Sequence, residues 1–469
     1  MGRTEKLAKN ISFIVIGNIG SKLLGFVMLP FYTSWLSPAD YGITDLIGVY
    51  ANLLLNVVAC DVSDTIYIFP VGATQEKIRK YYSTGFLFQV ICSVICLAVF
   101  GGLSAFHLSG TFGEQLWFIY GTLITSLFQK YTQDFCRGIN KMSVFSYTGI
   151  LYSGVLALCS FLLVPSYGVY GFVLATMFSN ISTTIFAFAY SRSYQYLSLK
   201  AFDRKSLSEM LRFSIPLIPT AIMWWLVSGL NRPLLEQYVG LFALGLMAVA
   251  GKLPGVMSLV FNFFQQAWIV TVVEEYKKTD FGEYYNKMFR MIIAVQVAVC
   301  LAIIICSKPF IHLMTTAEYY EAWKYIPLLA ISVIFSNASA YLGTVFSATR
   351  QSKYTFYSAI AGGVAAVAFN SLLIPHWGIW GACLSICLAH ACAAVSRAYF
   401  ARKMVKFTCK TYLIIQTHIL ALSYLSALFL KNWQLIISYI FCLFLFVFFN
   451  RQTLGNAIAF VKNKKHINK

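Results

Sequence analysis

Charge is scarce in this chain. Only 11% of its 469 residues are Asp, Glu, Lys or Arg, and 59% are hydrophobic, whereas a soluble domain is charged at roughly a quarter of its positions. No single water-facing globule hides that much apolar surface, so lipid is the expected solvent. Acid is scarcer still, with 17 Asp+Glu against 36 Lys+Arg. In a soluble protein such an excess would suggest nucleic acid. Here the basic residues fall in short gaps between apolar runs, the pattern of membrane loops, and no nucleic-acid partner is expected.

Chemical motifs are missing too. No GxxxxGK[ST] occurs, which excludes self-contained ATP-driven transport. The six histidines (His107, His312, His376, His390, His418 and His466) form no HxxxH or HExxH. With no metal, triad, flavin or haem signature, no cofactor is expected. The 12 cysteines, among them Cys92, Cys96, Cys159, Cys300, Cys306 and Cys387, lie almost all in apolar runs without a CxxC and read as packing residues. Long loops are absent: the longest expected outside, around Ser307–Ala322, has about 16 residues, leaving no room for a folded outer domain.

What is present is a succession of apolar runs. A span needs about 20 largely apolar residues, and such runs occur at 10–35, 43–69, 83–106, 114–136, 143–164, 168–190, 211–231, 239–270, 288–307, 325–347, 355–374, 378–400, 411–429 and 433–450. The expected fold is an all-α integral membrane protein of about 14 transmembrane helices. The overlong runs 43–69 and 239–270 are expected to continue into the cytoplasm. Arg3, Lys6 and Lys9 precede the first run as in a signal peptide, but the run passes Leu36 without an A-x-A site, so this helix is expected to remain as an anchor. With the N-terminus inside, 29 of the 36 Lys and Arg fall on the cytoplasmic side and four outside. Both termini are therefore expected in the cytoplasm, with the chain in the inner membrane.

The sequence repeats. Pro165-Ser-Tyr-Gly168-Val-Tyr-Gly171 matches Pro375-His-Trp-Gly378-Ile-Trp-Gly381 at an offset of 210, and Tyr147/Tyr357, Ile150/Ile360, Leu162/Leu372 and Leu174/Leu384 keep the register. Six spans separate the copies, an even number, which predicts two parallel six-helix lobes, 1–200 and 201–405, followed by two extra helices and a basic tail, 406–469.

A two-lobed bundle suggests alternating access, and polar residues inside the spans are the candidates for its lining. An ionised side chain in hydrocarbon costs roughly 2.5–3.5 kcal/mol even on the lenient scale. Lys22, with Asn18 and Gly25 on its face, and Lys252 in the eighth span read either as two cleft-facing cations that attract an anion or as packing groups neutralised by an acid such as Asp45 or Glu236. Asp45, Asn52, Asn56 and Ser63 fall within about 40° of one another on the second span, as cleft lining or as interhelical hydrogen-bonding groups. Ser332, Ser336, Ser339, Gly343 and Ser347 form a similar face that equally permits close helix contact. Asp61 with Asp64, and Arg232 with Glu236, read as gate groups or as ordinary interfacial charges. Lys130, Asp134 and Arg137, at i, i+4, i+7 on the fourth span, could receive a pyrophosphate headgroup or form a salt-bridged helix end. Arg350 is taken as their counterpart in the second lobe.

The opening Lys9-Asn-Ile-Ser-Phe-Ile-Val-Ile-Gly-Asn-Ile-Gly-Ser-Lys22, then Leu29-Pro-Phe-Tyr-Thr33 and Leu36-Ser-Pro-Ala-Asp-Tyr-Gly42, resembles the start of the polysaccharide repeat-unit flippases of the multidrug/oligosaccharidyl-lipid/polysaccharide exporter superfamily. Phe213-Ser-Ile-Pro216, Asn231-Arg232, Tyr238-Val-Gly240 and Leu244-Gly-Leu-Met-Ala-Val-Ala-Gly-Lys252 resemble that family's second-lobe entry. The resemblance implies a V-shaped, twelve-plus-two helix transporter with a cationic central cavity. It further implies an undecaprenyl-pyrophosphate-linked oligosaccharide as cargo, moved to the periplasmic leaflet for O-antigen or capsule synthesis. The implied partners are this lipid-linked sugar, the bilayer and the polysaccharide polymerase machinery, with Lys22 and Lys252 at the positions that contact the anionic cargo. Where relatives carry Arg before Phe at the end of the second helix, this chain has Ile68-Phe69, which shifts anion capture towards Arg137 or Lys130. A cation-coupled drug exporter of the same superfamily would want a carboxylate in the first helix, where Lys22 stands instead. A membrane-embedded polymerase or ligase would need a large catalytic outer loop. No enzyme is expected.

Overall fold

The computed structural model describes residues 24–107, 115–408 and 410–467, and among them there is no strand. The α-helices in chain order begin with α1 (Leu29–Trp35), α2 (Pro38–Val58), α3 (Val62–Ile68), α4 (Gln75–Ala105), α5 (Leu116–Gly138) and α6 (Met142–Tyr190). They continue with α7 (Arg204–Ser214), α8 (Ile218–Ser228), α9 (Asn231–Val239), α10 (Leu241–Ala250) and α11 (Lys252–Glu275). The last are α12 (Phe281–Met314), α13 (Ile326–Ala348), α14 (Lys353–Ala401), α15 (Lys410–Phe429) and α16 (Asn432–Ile467). Ten helical segments among the described residues are long and apolar enough to cross a membrane. The protein is an all-helical, multi-pass membrane protein. Of the expected spans, the first, 10–35, lies mostly outside the described residues.

Helix starts follow local chemistry. Ser37 caps α2 in a reciprocal box with Asp40, its hydroxyl accepting the Asp40 N–H at 3.2 Å, and Pro38 supplies a first-turn residue whose missing N–H costs nothing there. Asp203 caps α7 by accepting the Ser206 N–H at 2.9 Å.

α6 and α14 each run for 49 residues, which as straight helices would measure about 74 Å against a hydrocarbon layer of about 30 Å. Neither is straight. Gly168 sits at φ 54°, ψ −125° and Gly378 at φ 53°, ψ −127°, a region that glycine alone enters easily. A Cβ on Gly171 would strike the carbonyl of Leu163, and one on Gly381 that of Leu373. Residues eight apart on a straight helix lie about 12 Å apart along its axis, so each element doubles back as a tight helical hairpin. The repeated Pro-x-x-Gly-x-x-Gly segments are its two tips.

The repeat extends to single hydrogen bonds. After α5, Asn140 (φ 61°) closes a left-handed cap in which the Lys141 N–H bonds to the Cys136 carbonyl at 2.8 Å. After α13, Arg350 (φ 56°) does the same, with Gln351 N–H to Phe346 carbonyl at 2.8 Å. Arg350 is thus the structural counterpart of Asn140, which corrects its expected match to the Lys130, Asp134 and Arg137 group.

The chain divides into two compact units, 1–225 and 226–469. In the first, the Tyr131 hydroxyl donates to the Tyr82 carbonyl at 2.7 Å, and Phe135 packs on the Tyr82 ring. The amphipathic α7 closes this core with buried Met210, and the Tyr81 hydroxyl donates to Glu209 Oε2 at 3.0 Å. In the second unit, Tyr285 and Tyr341 exchange hydroxyl-to-carbonyl bonds at 3.0 and 2.8 Å between α12 and α13, while α15 and α16 pack against α12.

Each overlong run is divided between two helices. The run 43–69 breaks at the left-handed Cys60–Asp61 between α2 and α3, and 239–270 divides at Gly251, whose backbone stays right-handed, between α10 and α11.

Candidate functional site

The α2–α3 break builds a polar cluster in the first unit. Cys60 (φ 45°) and Asp61 (φ 52°) both adopt left-handed backbone, which costs about 1–2 kcal/mol at a non-glycine residue. Two such residues in succession persist only where tertiary contacts demand the turn. The turn carries Asp61 towards α5. There Lys130 Nζ lies 3.5 Å from Asp61 Oδ1 and 3.0 Å from Asp64 Oδ1. Two turns along α5, Arg137 Nη1 donates to Asp134 Oδ1 at 3.1 Å. Its guanidinium lies 4.1 Å from the Tyr67 ring centroid, within cation–π range. Three carboxylates thus surround two cations. Lys130 is held between two acids from beyond its own helix, while Asp134 pairs with Arg137.

Past Arg137, α5 and α3 meet backbone to backbone, since a Cβ on Gly138 would press on the Ile66 carbonyl at 2.5 Å. A cavity of about 530 Å³ opens beside them, lined among others by Tyr67, Gly72, Arg137, Asn140, Lys141 and Tyr196. Lys141 Nζ donates to the Ser191 carbonyl at 2.6 Å. Among the described residues the buried Nε of Arg137 has no hydrogen-bond partner. A planar guanidinium with an unused donor, a second cation and tyrosine walls suit an oxyanion or sugar hydroxyls.

The remaining candidates scatter. Lys22 and Asn18 lie outside the described residues. On α2, Asp45 and Asn56 are half-buried and Asn52 is exposed, while Ile47 and Ala51 are buried on the packed side. Along this row Asn56 Nδ2 donates to the Asn52 carbonyl at 3.4 Å. Ser63 leaves the row because the break rotates it away: it is buried on α3 and accepts from Gln89 Nε2 at 3.3 Å. Lys252 is exposed and opens α11 immediately after the Gly251 break. Arg232 folds back onto its own chain, donating to the Ser228 carbonyl and, at 3.0 Å, to Asn231 Oδ1. Arg350 is exposed in the turn between α13 and α14.

One residue carries more than the sequence suggested. Arg397, placed among the cytoplasmic cations by position, is only 5% exposed. Its Nε donates to Ser358 Oγ at 3.0 Å and its Nη1 to the Ser339 carbonyl at 2.8 Å. A Cβ on Gly343 would sit 2.8 Å from Nη1, so the small-residue face of α13 makes room for this guanidinium. A glycine one turn after a serine was the available signal.

Comparison with known proteins agrees with this architecture. A family model described as "Polysaccharide biosynthesis protein" matches residues 7–269, more than half of the chain. The capsular polysaccharide biosynthesis protein CapF of Staphylococcus aureus is 24% identical over 413 residues, 85% of this chain and 100% of that one. An uncharacterized membrane protein of Methanocaldococcus jannaschii is 22% identical over 81% of this chain and 94% of its own. Among solved structures, the lipid II flippase MurJ, inward closed, superposes with a TM-score of 0.70 at 14% identity, covering 94% of this chain and 99% of that one. An inward-facing multidrug resistance MATE family transporter of the MOP superfamily gives 0.64 at 15% identity over 83% and 97%. Identities this low speak for fold alone. Built on the fold these transporters share, with the family match running from the first apolar run into α11, the chain belongs to the polysaccharide biosynthesis protein family.

Proposed function

We propose that this protein is a flippase that carries an undecaprenyl-pyrophosphate-linked oligosaccharide repeat unit from the cytoplasmic to the periplasmic leaflet of the inner membrane. The observation that carries this reading is the row Asp45, Asn52 and Asn56 on α2, polar and incompletely covered on a helix that crosses the membrane. Hydrocarbon does not accept such a row, so it lines a wet path, and amides are suited to sugar hydroxyls. The tyrosine-walled cavity at Arg137 and Lys141 supports a diphosphate or sugar subsite at the expected cytoplasmic end of that path. Lys22 and Lys252 supply further positive charge for the pyrophosphate, and both termini lie in the cytoplasm. Once across, the repeat unit passes to polymerase machinery in the opposite leaflet. Family membership and the likeness of fold to a lipid II flippase support lipid-linked cargo, and both resemble transporters rather than enzymes.

The test is reconstitution into liposomes with a fluorescent lipid-pyrophosphate oligosaccharide whose leaflet is read by an impermeant quencher. Wild-type protein moves the probe; Lys22→Ala and Asn52→Leu slow it at unchanged protein content. No movement with intact protein removes the lipid-flipping reading, and a normal rate in Lys22→Ala removes that residue from the path.

The acid-rich cluster favours one second reading. Three carboxylates around Lys130 and Arg137 suit a cation rather than an anion, as a cation-coupled multidrug exporter would require. Efflux of a cationic dye from the same vesicles, without movement of the lipid probe, would select it.

A further inference from the structure

We propose that the second unit holds a binding site for the headgroup of an anionic phospholipid, separate from the cargo path. A cavity of about 920 Å³ lies between the α11–α12 turn, the first turns of α12 and the link joining α14 to α15. Asn286, buried on α12, shapes it. Its Nδ2 donates to the carbonyls of Gly282 and Lys406, both at 2.7 Å, and its Oδ1 accepts the Thr408 N–H at 3.0 Å. That one amide pins the link against the helix.

Four cations line the cavity: Lys278, Lys287, Arg290 and Lys406. Lys278 is bound to Glu275 at 2.7 Å. The other three are exposed, and among the described residues none has a carboxylate within ion-pair distance. The two acids on the wall, Asp280 and Glu283, sit at the N-cap and in the first turn of α12, where the helix dipole favours carboxylates. Lys287 and Arg290, three apart, share a helix face. Their charge faces outward without compensation.

Position selects the ligand. α11 ends here and α12 begins, both of them membrane-crossing helices, so the cavity opens at the membrane surface where phosphodiesters are concentrated. Basic pockets between transmembrane helices on that side suit lipid phosphates. Met291, Met404 and Val405 give the cavity an apolar wall. A free phosphate has no use for that wall, whereas a glycerol backbone and its first methylenes cover it.

The full chain, purified in detergent, is titrated with cardiolipin and bound lipid is counted by native mass spectrometry. The triple variant Lys287→Gln, Arg290→Gln, Lys406→Gln loses at least about tenfold in lipid affinity, while Lys277→Gln, outside the cavity, behaves as wild type. Lys406→Gln alone, on the exposed link where folding is not at stake, loses about threefold. Unchanged retention in the triple variant overturns the proposal; should that variant not fold, unchanged retention in Lys406→Gln does so. Displacement of cardiolipin by millimolar inorganic phosphate assigns the cavity to free phosphate and overturns the lipid.

Discussion

Replacing Lys130 by Met tests whether the broken helix is held by charge. The substitution keeps the aliphatic stem but strips the cation from between Asp61 and Asp64, at 3.5 and 3.0 Å. The two acids differ in burial: the Asp61 side chain is 9% exposed and that of Asp64 47%. Removing one partner of a buried pair costs about 3–5 kcal/mol, and the 30% exposure of Lys130 reduces this to roughly 2–3 kcal/mol because water screens what remains. Asp64→Asn, at the surface, costs at most about 1 kcal/mol. Asp61→Asn in the Lys130→Met background removes the stranded carboxylate and restores about 1–2 kcal/mol. Equilibrium unfolding in mixed micelles, followed by tryptophan fluorescence, gives all four corners of the cycle. Additive losses for Lys130→Met and Asp61→Asn would show that the two do not interact. The left-handed Cys60–Asp61 turn would then need another cause.

The hairpin tips and the Arg397 pocket are also testable. Gly171→Ala drives a Cβ into the Leu163 carbonyl; with backbone on both sides neither atom can yield, so loss exceeds about 3 kcal/mol and folded protein disappears from size-exclusion profiles. Gly168→Ala meets open space but keeps its φ of 54°, and the strain alone costs about 1–2 kcal/mol, a lowered melting point without loss of expression. Gly343→Ala crowds the Arg397 guanidinium at 2.8 Å and costs about 1–3 kcal/mol, measured by thermal unfolding; Arg397→Lys, with no atoms at that position, relieves most of it.

The hairpins were readable in advance because their cause is local. A backbone at φ near +54° followed by a close approach three residues later requires glycine at both positions, so the spacing appears in the sequence, twice. The break at Cys60–Asp61 has no such marker, neither Gly nor Pro. It is imposed by the reach of Asp61 to Lys130, 69 residues away, and a periodic polar row carried straight through it misplaced Ser63. Arg397 was obscured for the same reason: near the end of a span it looks like a loop cation, while its partners Ser358 and Ser339 lie 39 and 58 residues away. Arg350 was matched to the Lys130, Asp134 and Arg137 group, whereas the backbone aligns it with Asn140 through the shared left-handed cap.

That last correction separates what the duplication kept from what it did not. Packing is kept: Tyr131 bonds the Tyr82 carbonyl in one unit, and Tyr341 bonds the Tyr285 carbonyl in the other. Turns are kept too, down to 2.8 Å hydrogen bonds after α5 and α13. Charge is not. At an offset of 210, Lys130, Asp134 and Arg137 become Ala340, Thr344 and Ser347, and where α5 presents a mixed ionic cluster, α13 presents the small face that accommodates Arg397. Hairpin geometry and tyrosine packing are therefore requirements of the scaffold, met twice because there are two units. The ionic cluster is not shared: it goes with the Cys60–Asp61 break of the first unit, where Asp61 reaches Lys130. Burying charge is costly, and in the first unit that cost goes with the left-handed Cys60–Asp61 turn, which among the described residues has no counterpart in the second unit.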